Sequence, residues 1–170
     1  IRDSYETLIE VDADMTFYGQ LAESWEIPDE TTYVFHLRQG VKFHSGREMT
    51  ADDVVYTFDR ILGKTEAGDI GALGRKASYY GGVTAVEALD TYTVQLTLAE
   101  PNAAFLSTLT SNYGAIVDKD VIEENGDLMR ADGGTGPFTL GEWLPDNYVT
   151  ITKFSDYWDA DRVQLDGITY

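Results

Sequence analysis

The groups in this 170-residue chain that could do chemistry are two histidines, a run of glycines and a large surplus of carboxylates. His36 and His44 are the only imidazoles. Across a strand end they would approach one metal only after the chain folds back, and no third protein ligand is indicated. His36 lies in an alternating segment and reads as a satisfied sheet residue. His44 lies in the turn FHSGRE at Phe43 to Glu48 and reads as making a side chain to backbone hydrogen bond. Either could in principle exchange a proton near neutrality, and neither is taken as catalytic. Gly133-Gly134-Thr135-Gly136 before Pro137 has the backbone freedom of a phosphate loop, yet it lacks the Lys-Ser/Thr of that motif and leads into a strand. Asp12, Asp14, Thr16, Tyr18, Gln20 and Glu23 fall at calcium-loop offsets, but Phe17 stands where the sharp turn needs glycine, so a turn with exposed acids between two strands is expected instead. The acid pairs Asp52-Asp53, Glu123-Glu124 and Asp159-x-Asp161 fall on solvated helix or loop positions, whereas a glycosidase must aim two carboxyls into one cleft. No G-x-S-x-G elbow is present. Glycoside hydrolysis is therefore an unfavoured alternative, and no catalytic residue, metal site or cofactor is expected.

An aromatic and polar set is more informative: Tyr5, Tyr79, Tyr80, Asn112 and Tyr113. Tyrosine offers a flat apolar body and one hydroxyl at little entropic cost, which suits a cleft that grips varied ligands. Packing alone would account for the same residues.

Composition narrows the classes. Thirty Asp and Glu against twelve Lys and Arg give a formal charge of −18, and the acids are scattered. Phosphate-backbone binding needs clustered Lys and Arg, so nucleic acid is not an expected partner, and an anionic membrane surface would repel the chain. Carboxylates in this excess suit high salt, where the Debye length shrinks to about 3 Å at 1 M. A halophilic source is one reading and an ordinary acidic secreted protein is the other. With no cysteine, disulfides and thiolate chemistry are excluded. No apolar run approaches a membrane span, and the opening residues do not read as a signal peptide, which is expected to lie outside this sequence.

Three hairpins and several helices must position these groups. Glu23 to Ile27 and Tyr33 to Arg38 flank the turn Pro28-Asp29-Glu30-Thr31. Val83 to Ala88 pairs with Thr93 to Leu98, and Phe138 to Trp143 with Tyr148 to Phe154. In the first hairpin Tyr33, Phe35 and Leu37 share one face while Val34 and His36 share the other, so both faces are expected to be partly covered. A sheet of about six strands is expected from the three hairpins. Thr50 to Asp53 reads as a capping box opening a helix whose Val54, Val55, Phe58, Ile61 and Leu62 face the sheet, with Gly63 ending it. Pro101-Asn102 starts a helix through Ala103 to Leu109, and Lys119 to Asn125 forms another, stopped by Gly126. The glycine-rich stretch 63–82 reads as a mobile loop. The order of elements gives an α+β class.

The stretch Leu21 to Leu62, with Val86 to Leu106, the turn GTGPFTLGEW at Gly134 to Trp143 and DYWD at Asp156 to Asp159, closely resembles the extracytoplasmic solute-binding proteins of ABC transporters, family 5, the peptide/nickel class. The resemblance implies a periplasmic-binding-protein-like fold (class II, family 5): an antiparallel/mixed sheet of hairpins with packed helices. Members of that family are considerably longer, so the chain reads as part of a first lobe. Residues 1–20 and 163–170 would be segments of that lobe, residues 21–162 an inserted α+β subdomain, and the second lobe would lie outside this chain. By itself such a fragment is expected to bind weakly or not at all. The implied role is capture of peptides, nickel complexes or oligosaccharides for import, with a small-molecule or peptide ligand and ABC permease subunits as partners, no nucleic acid, and a monomeric state. The expected location is extracytoplasmic, periplasmic or at the cell surface, with or without a lipid anchor. A ligand-sensing module of the same fold, coupled to a receptor or regulator, is the alternative. Resemblance places Tyr5 in the family's YExL segment (Tyr5-Glu6-Thr7-Leu8), Ser111 to Gly114 in a loop that meets ligand, Tyr79-Tyr80 at a cleft edge, and Gly136 in a rigid turn near the cleft. Trp25, Trp143 and Trp158 are expected to be structural core aromatics.

Overall fold

A computed structural model describes residues 3–65, 78–126, 128 and 131–170. Residues 66–77, which make up most of the expected mobile loop, lie outside the described residues.

The chain opens with a short hairpin, β1 (Ile9–Val11) and β2 (Phe17–Gly19). Its turn is local chemistry: Asp12 Oδ1 accepts the backbone N–H groups of Asp14 and Thr16, each at 2.9 Å, and Met15 takes φ 62°. The acids at calcium-loop offsets are thus a side-chain-bonded turn between strands.

Four strands follow as one antiparallel sheet in the order β3-β4-β6-β5: β3 (Ala22–Asp29), β4 (Thr32–Leu37), β5 (Val83–Asp90) and β6 (Thr93–Leu98). Period-two alternation sends Tyr33, Phe35 and Leu37 of β4 and Val94, Leu96 and Leu98 of β6 to one buried face. Register brings Phe35 opposite both Trp25 and Val94. On the other face Val34 and His36 are half-buried, as the alternation suggested.

Against the apolar face lies α1 (Ala51–Ile61). The Asp53 carboxylate accepts the Thr50 backbone N–H at 2.9 Å, completing the reciprocal half of a capping box. Helical spacing then buries Val54, Phe58 and Ile61, each contributing about 1.5–3 kcal/mol by removal from water. Two shorter helices, α2 (Phe105–Leu109) and α3 (Lys119–Asn125), close the core. The first starts two residues later than expected, because Asn102 Oδ1 holds the Ala104 N–H in a turn. Asp118 caps the second by accepting the Asp120 N–H at 3.0 Å, and Gly126 ends it at φ 81°.

A third sheet contains β7 (Phe138–Leu144), β8 (Tyr148–Lys153) and β9 (Gly167–Thr169), in that order. The expectation of one six-stranded sheet is therefore corrected. The first two hairpins join through β4 and β6, while the third takes β9 as its neighbour. Because β8 and β9 are hydrogen-bonded, a boundary drawn after residue 162 runs through a sheet.

The candidate ligand cleft

The seven residues expected at a binding site fall into two groups. Residues 78–80 form a helical turn that places Tyr79 at the surface and Tyr80 in the core. Tyr79 is 53% exposed, and its ring meets that of Tyr113 at 5.1 Å between centroids, edge on. Asn112 is exposed beside Tyr113 in the turn Asn112–Gly114, whose Ser111 hydroxyl accepts the Tyr113 N–H. Together Tyr79, Asn112 and Tyr113 make an amphipathic ledge. Tyr80 is 1% exposed, edge on to Phe58, with its hydroxyl donating to the Thr108 carbonyl at 3.0 Å. Burial raises its pKa. Gly114, also buried, lies against the Tyr80 hydroxyl, and a Cβ there would collide with it. Both lie beneath the ledge, where Tyr80 fills the space and Gly114 leaves room for it.

Tyr5 and Gly136 form the second group. The segment 3–6 runs between two strips of backbone: Gly136 and Phe138 donate to the carbonyls of Ser4 and Asp3, and Ile116 donates to that of Glu6. Gly136 is buried, and a Cβ on it would lie 2.6 Å from the Ser4 carbonyl carbon, so glycine is required by close backbone approach. Here it admits the N-terminal segment. Tyr5 is half-buried with its hydroxyl accepting the Gly133 N–H at 3.4 Å. Burial, and after it the charge of Asp132, pushes its phenol up to about 12. It lines a cleft of about 350 Å³ with Asp132, Leu140, Trp143, Ile151 and Tyr170. Trp143 is 49% exposed there, which corrects its assignment to the core; Trp25 and Trp158 are partly buried and packed on the core.

Sequence reasoning missed the groups that hold these two walls in place. Glu6 is 1% exposed, and it accepts from Tyr157 Oη at 2.7 Å, Thr135 Oγ1 at 2.9 Å, and both Trp158 Nε1 and Gln20 Nε2 at 3.2 Å. Burial pushes its carboxyl pKa up, against the downward pull of those hydrogen bonds. Three motifs far apart in the sequence, YExL, GTGP and DYWD, thus converge on one carboxylate. Arg38, held to the Gln20 carbonyl, stacks 4.2 Å over the Trp158 ring. The loop after β4 adds further ties. Arg47 Nη1 donates to Asp53 at 3.0 Å, Arg47 also pairs with Asp118, and Ser45 donates to Asp118 at 2.6 Å. Desolvation works to lower the Arg47 pKa, but the two carboxylates outweigh it and hold the guanidinium above its ordinary value.

His36 Nε2 lies 3.3 Å from Glu26 Oε1 on the outer sheet face, while His44 reaches the Gly136 carbonyl with Nε2 and Asp132 with Nδ1. The two imidazoles therefore serve separate sites, and the described residues contain no cluster of three His, Asp or Glu placed to hold a metal ion. Among the described residues no helix is long and apolar enough to cross a membrane.

Comparison with known proteins agrees with this architecture. Residues 16–170 match the family described as bacterial extracellular solute-binding proteins, family 5 middle. The chain is 34% identical to the di/tripeptide-binding protein 1 of Pseudomonas aeruginosa (strain UCBPP-PA14), over 88% of this chain and 31% of that protein. It is 32% identical to the glutathione-binding protein GsiB of Escherichia coli (strain K12), over 98% of this chain and 32% of the relative. Among solved structures, the periplasmic binding protein DppA of Helicobacter pylori in complex with the peptide STSA superposes with a TM-score of 0.85 at 34% identity, over 98% of this chain and 36% of that one. The dipeptide-binding protein of Pseudoalteromonas sp. SM9913 in complex with Met-Leu gives a TM-score of 0.89 at 26% identity, over 99% of this chain and 37% of that one. The chain therefore spans about a third of the length of these relatives.

Proposed function

The chain belongs to the bacterial extracellular solute-binding proteins of family 5, and on that premise we propose that it contributes one wall of the ligand cleft of an ABC importer's binding component, taking short peptides. The observation that carries this reading is the ledge of Tyr79, Asn112 and Tyr113. Two tyrosine rings set edge on, one of them largely exposed, offer apolar faces and hydroxyls to a peptide without prescribing its side chains. Tyr5, Trp143 and Tyr170 line a second wall, which adds aromatic surface to the cleft. Relatives named for di/tripeptides and for glutathione, itself a tripeptide, favour a short peptide over a sugar. In this role the protein captures and releases its solute, with closure of a second lobe over the first, and no bond is made or broken. Its partners would be permease subunits in the membrane and its place extracytoplasmic. Within the chain, the β8–β9 pairing favours assigning β7, β8 and β9 together to the lobe that also holds segment 3–20, and the β3-β4-β6-β5 sheet to the inserted unit.

The test is a thermal-shift and calorimetric screen of the full-length protein against di- and tripeptides, glutathione, oligosaccharides and nickel chelates. A ligand bound only to the folded state stabilises it by about 2.7 kcal/mol at a hundredfold excess over Kd. A selective peptide response is expected. Combining Tyr79→Ala with Tyr113→Ala should weaken binding by about tenfold or more, equivalent to roughly 1.4 kcal/mol. Silence toward every peptide, or a double variant with unchanged affinity, would sink the assignment of the ledge.

A further inference from the structure

His44 stands where the loop after β4 reaches across to the turn at residues 132–136. Its side chain is 2% exposed. Nε2 lies 2.8 Å from the Gly136 carbonyl, Nδ1 lies 2.6 Å from Asp132 Oδ1, and the backbone N–H donates to the Gly134 carbonyl at 2.8 Å. The Phe154 ring packs edge on against the imidazole at 4.9 Å. A neutral imidazole has one N–H and one lone pair. The carbonyl oxygen of Gly136 can only accept, so Nε2 carries a proton. Nδ1 faces a carboxylate whose Oδ1 also accepts the Gly134 N–H at 3.4 Å and whose Oδ2 accepts the Leu140 N–H at 2.5 Å. An ionised carboxylate only accepts as well, which places a second proton on the ring.

We propose that His44 is a positioning residue for the cleft wall, acting as a doubly protonated imidazolium that clasps Asp132 and Gly136 together. The clasp fixes the turn against which segment 3–6 docks, and through Asp132 it fixes the side chain beside Tyr5. The surrounding charges fit this assignment. From the turn, Asp132 faces the ring. From the N-terminal segment, Tyr5 contributes a phenol kept protonated by burial and by Asp132. On the loop itself, Lys42 is committed to Asp156 at 2.7 Å and Arg47 to Asp53 and Asp118. Beside Phe154, Lys153 donates to the Val163 carbonyl at 2.8 Å. These cations are engaged elsewhere and Arg60 of α1 acts on the Tyr5 phenol, so among the described residues His44 is the group in ion-pair contact with Asp132. Loss of its Nδ1 proton on the alkaline side leaves two acceptors face to face and loosens the turn. The proposal rests on the binding reading only for the purpose of the wall. The protonation state and its grip on the turn can be measured without any ligand.

The experiment is NMR of the full chain with labelled histidine and backbone nitrogen, from mildly acidic to alkaline pH. At neutral pH both ring nitrogens of His44 are expected to carry protons. The amide signals of Gly134, Gly136 and Leu140 should shift in step with loss of the His44 Nδ1 proton, and that pH response should vanish in His44→Gln. A bare Nδ1 at neutral pH overturns the proposal, because the clasp would then be held by a neutral ring. Turn amides indifferent to the ring's titration overturn it equally. Wild-type spectra alone decide both points if the variant does not fold.

Discussion

At the scale of single residues, Glu6 is a carboxylate in which burial and hydrogen bonding oppose one another. Burial is the larger influence and raises its pKa above the usual carboxyl range. The folded state therefore binds the proton more tightly than the unfolded one. The stability this contributes is complete below the ordinary glutamate value and is lost as pH rises through the higher folded value. Compared with Glu6→Gln, which cannot titrate, the wild type should lose unfolding free energy across the weakly acidic range. Parallel pH profiles of the two proteins in urea melts would refute this. Glu6→Ala strands the donors of Thr135, Tyr157, Trp158 and Gln20 and should cost about 1–3 kcal/mol at neutral pH. None of these partnerships could be read in the sequence. Glu6 lies 151 residues from Tyr157, and His44 lies 88 from Asp132, so no local pattern links either pair. Tyr79 and Tyr80 teach the complementary lesson, since identical neighbours in one helical turn go to opposite environments and only packing decides which.

Among elements, Arg47 staples the N-terminus of α1 to that of α3. Its partners Asp53 and Asp118 have fully buried side chains and each also caps the start of its helix. Removing the guanidinium leaves two buried carboxylates without their cation, and Arg47→Met should destabilise the fold by about 3–5 kcal/mol. A loss under about 1 kcal/mol in chemical denaturation would show that helix ends and the Ser45 hydroxyl satisfy the acids unaided. The elements themselves were largely legible. Alternation in β4 and β6, the Thr50 cap and the Asp118 and Gly126 boundaries of α3 are local signals that survive folding. What was not legible is which hairpins share a sheet. That depends on the partner of each outer edge, and β9 has only three residues, of which one is half-buried, too short for a periodic signal.

For the molecule as a whole, charge and connectivity matter most. A formal charge of −18 with carboxylates spread over the surface makes the compact state pay for self-repulsion in dilute buffer. The thermal midpoint should therefore rise in molar KCl, where screening acts within about 3 Å. A midpoint insensitive to salt would assign the acids to solubility alone. Connectivity has a consequence for the order in which the structure can be built. Thr135, Tyr157 and Trp158, which fill the hydrogen-bonding capacity of Glu6, follow it by 129, 151 and 152 residues. During synthesis the first strands can assemble as soon as β6 leaves the ribosome, but the hydrogen bonds of Glu6 cannot be completed until residue 158 has emerged. Until then Gln20 is the one nearby partner of Glu6, and the cleft wall that this segment carries takes its final shape after the β3-β4-β6-β5 sheet can already have formed.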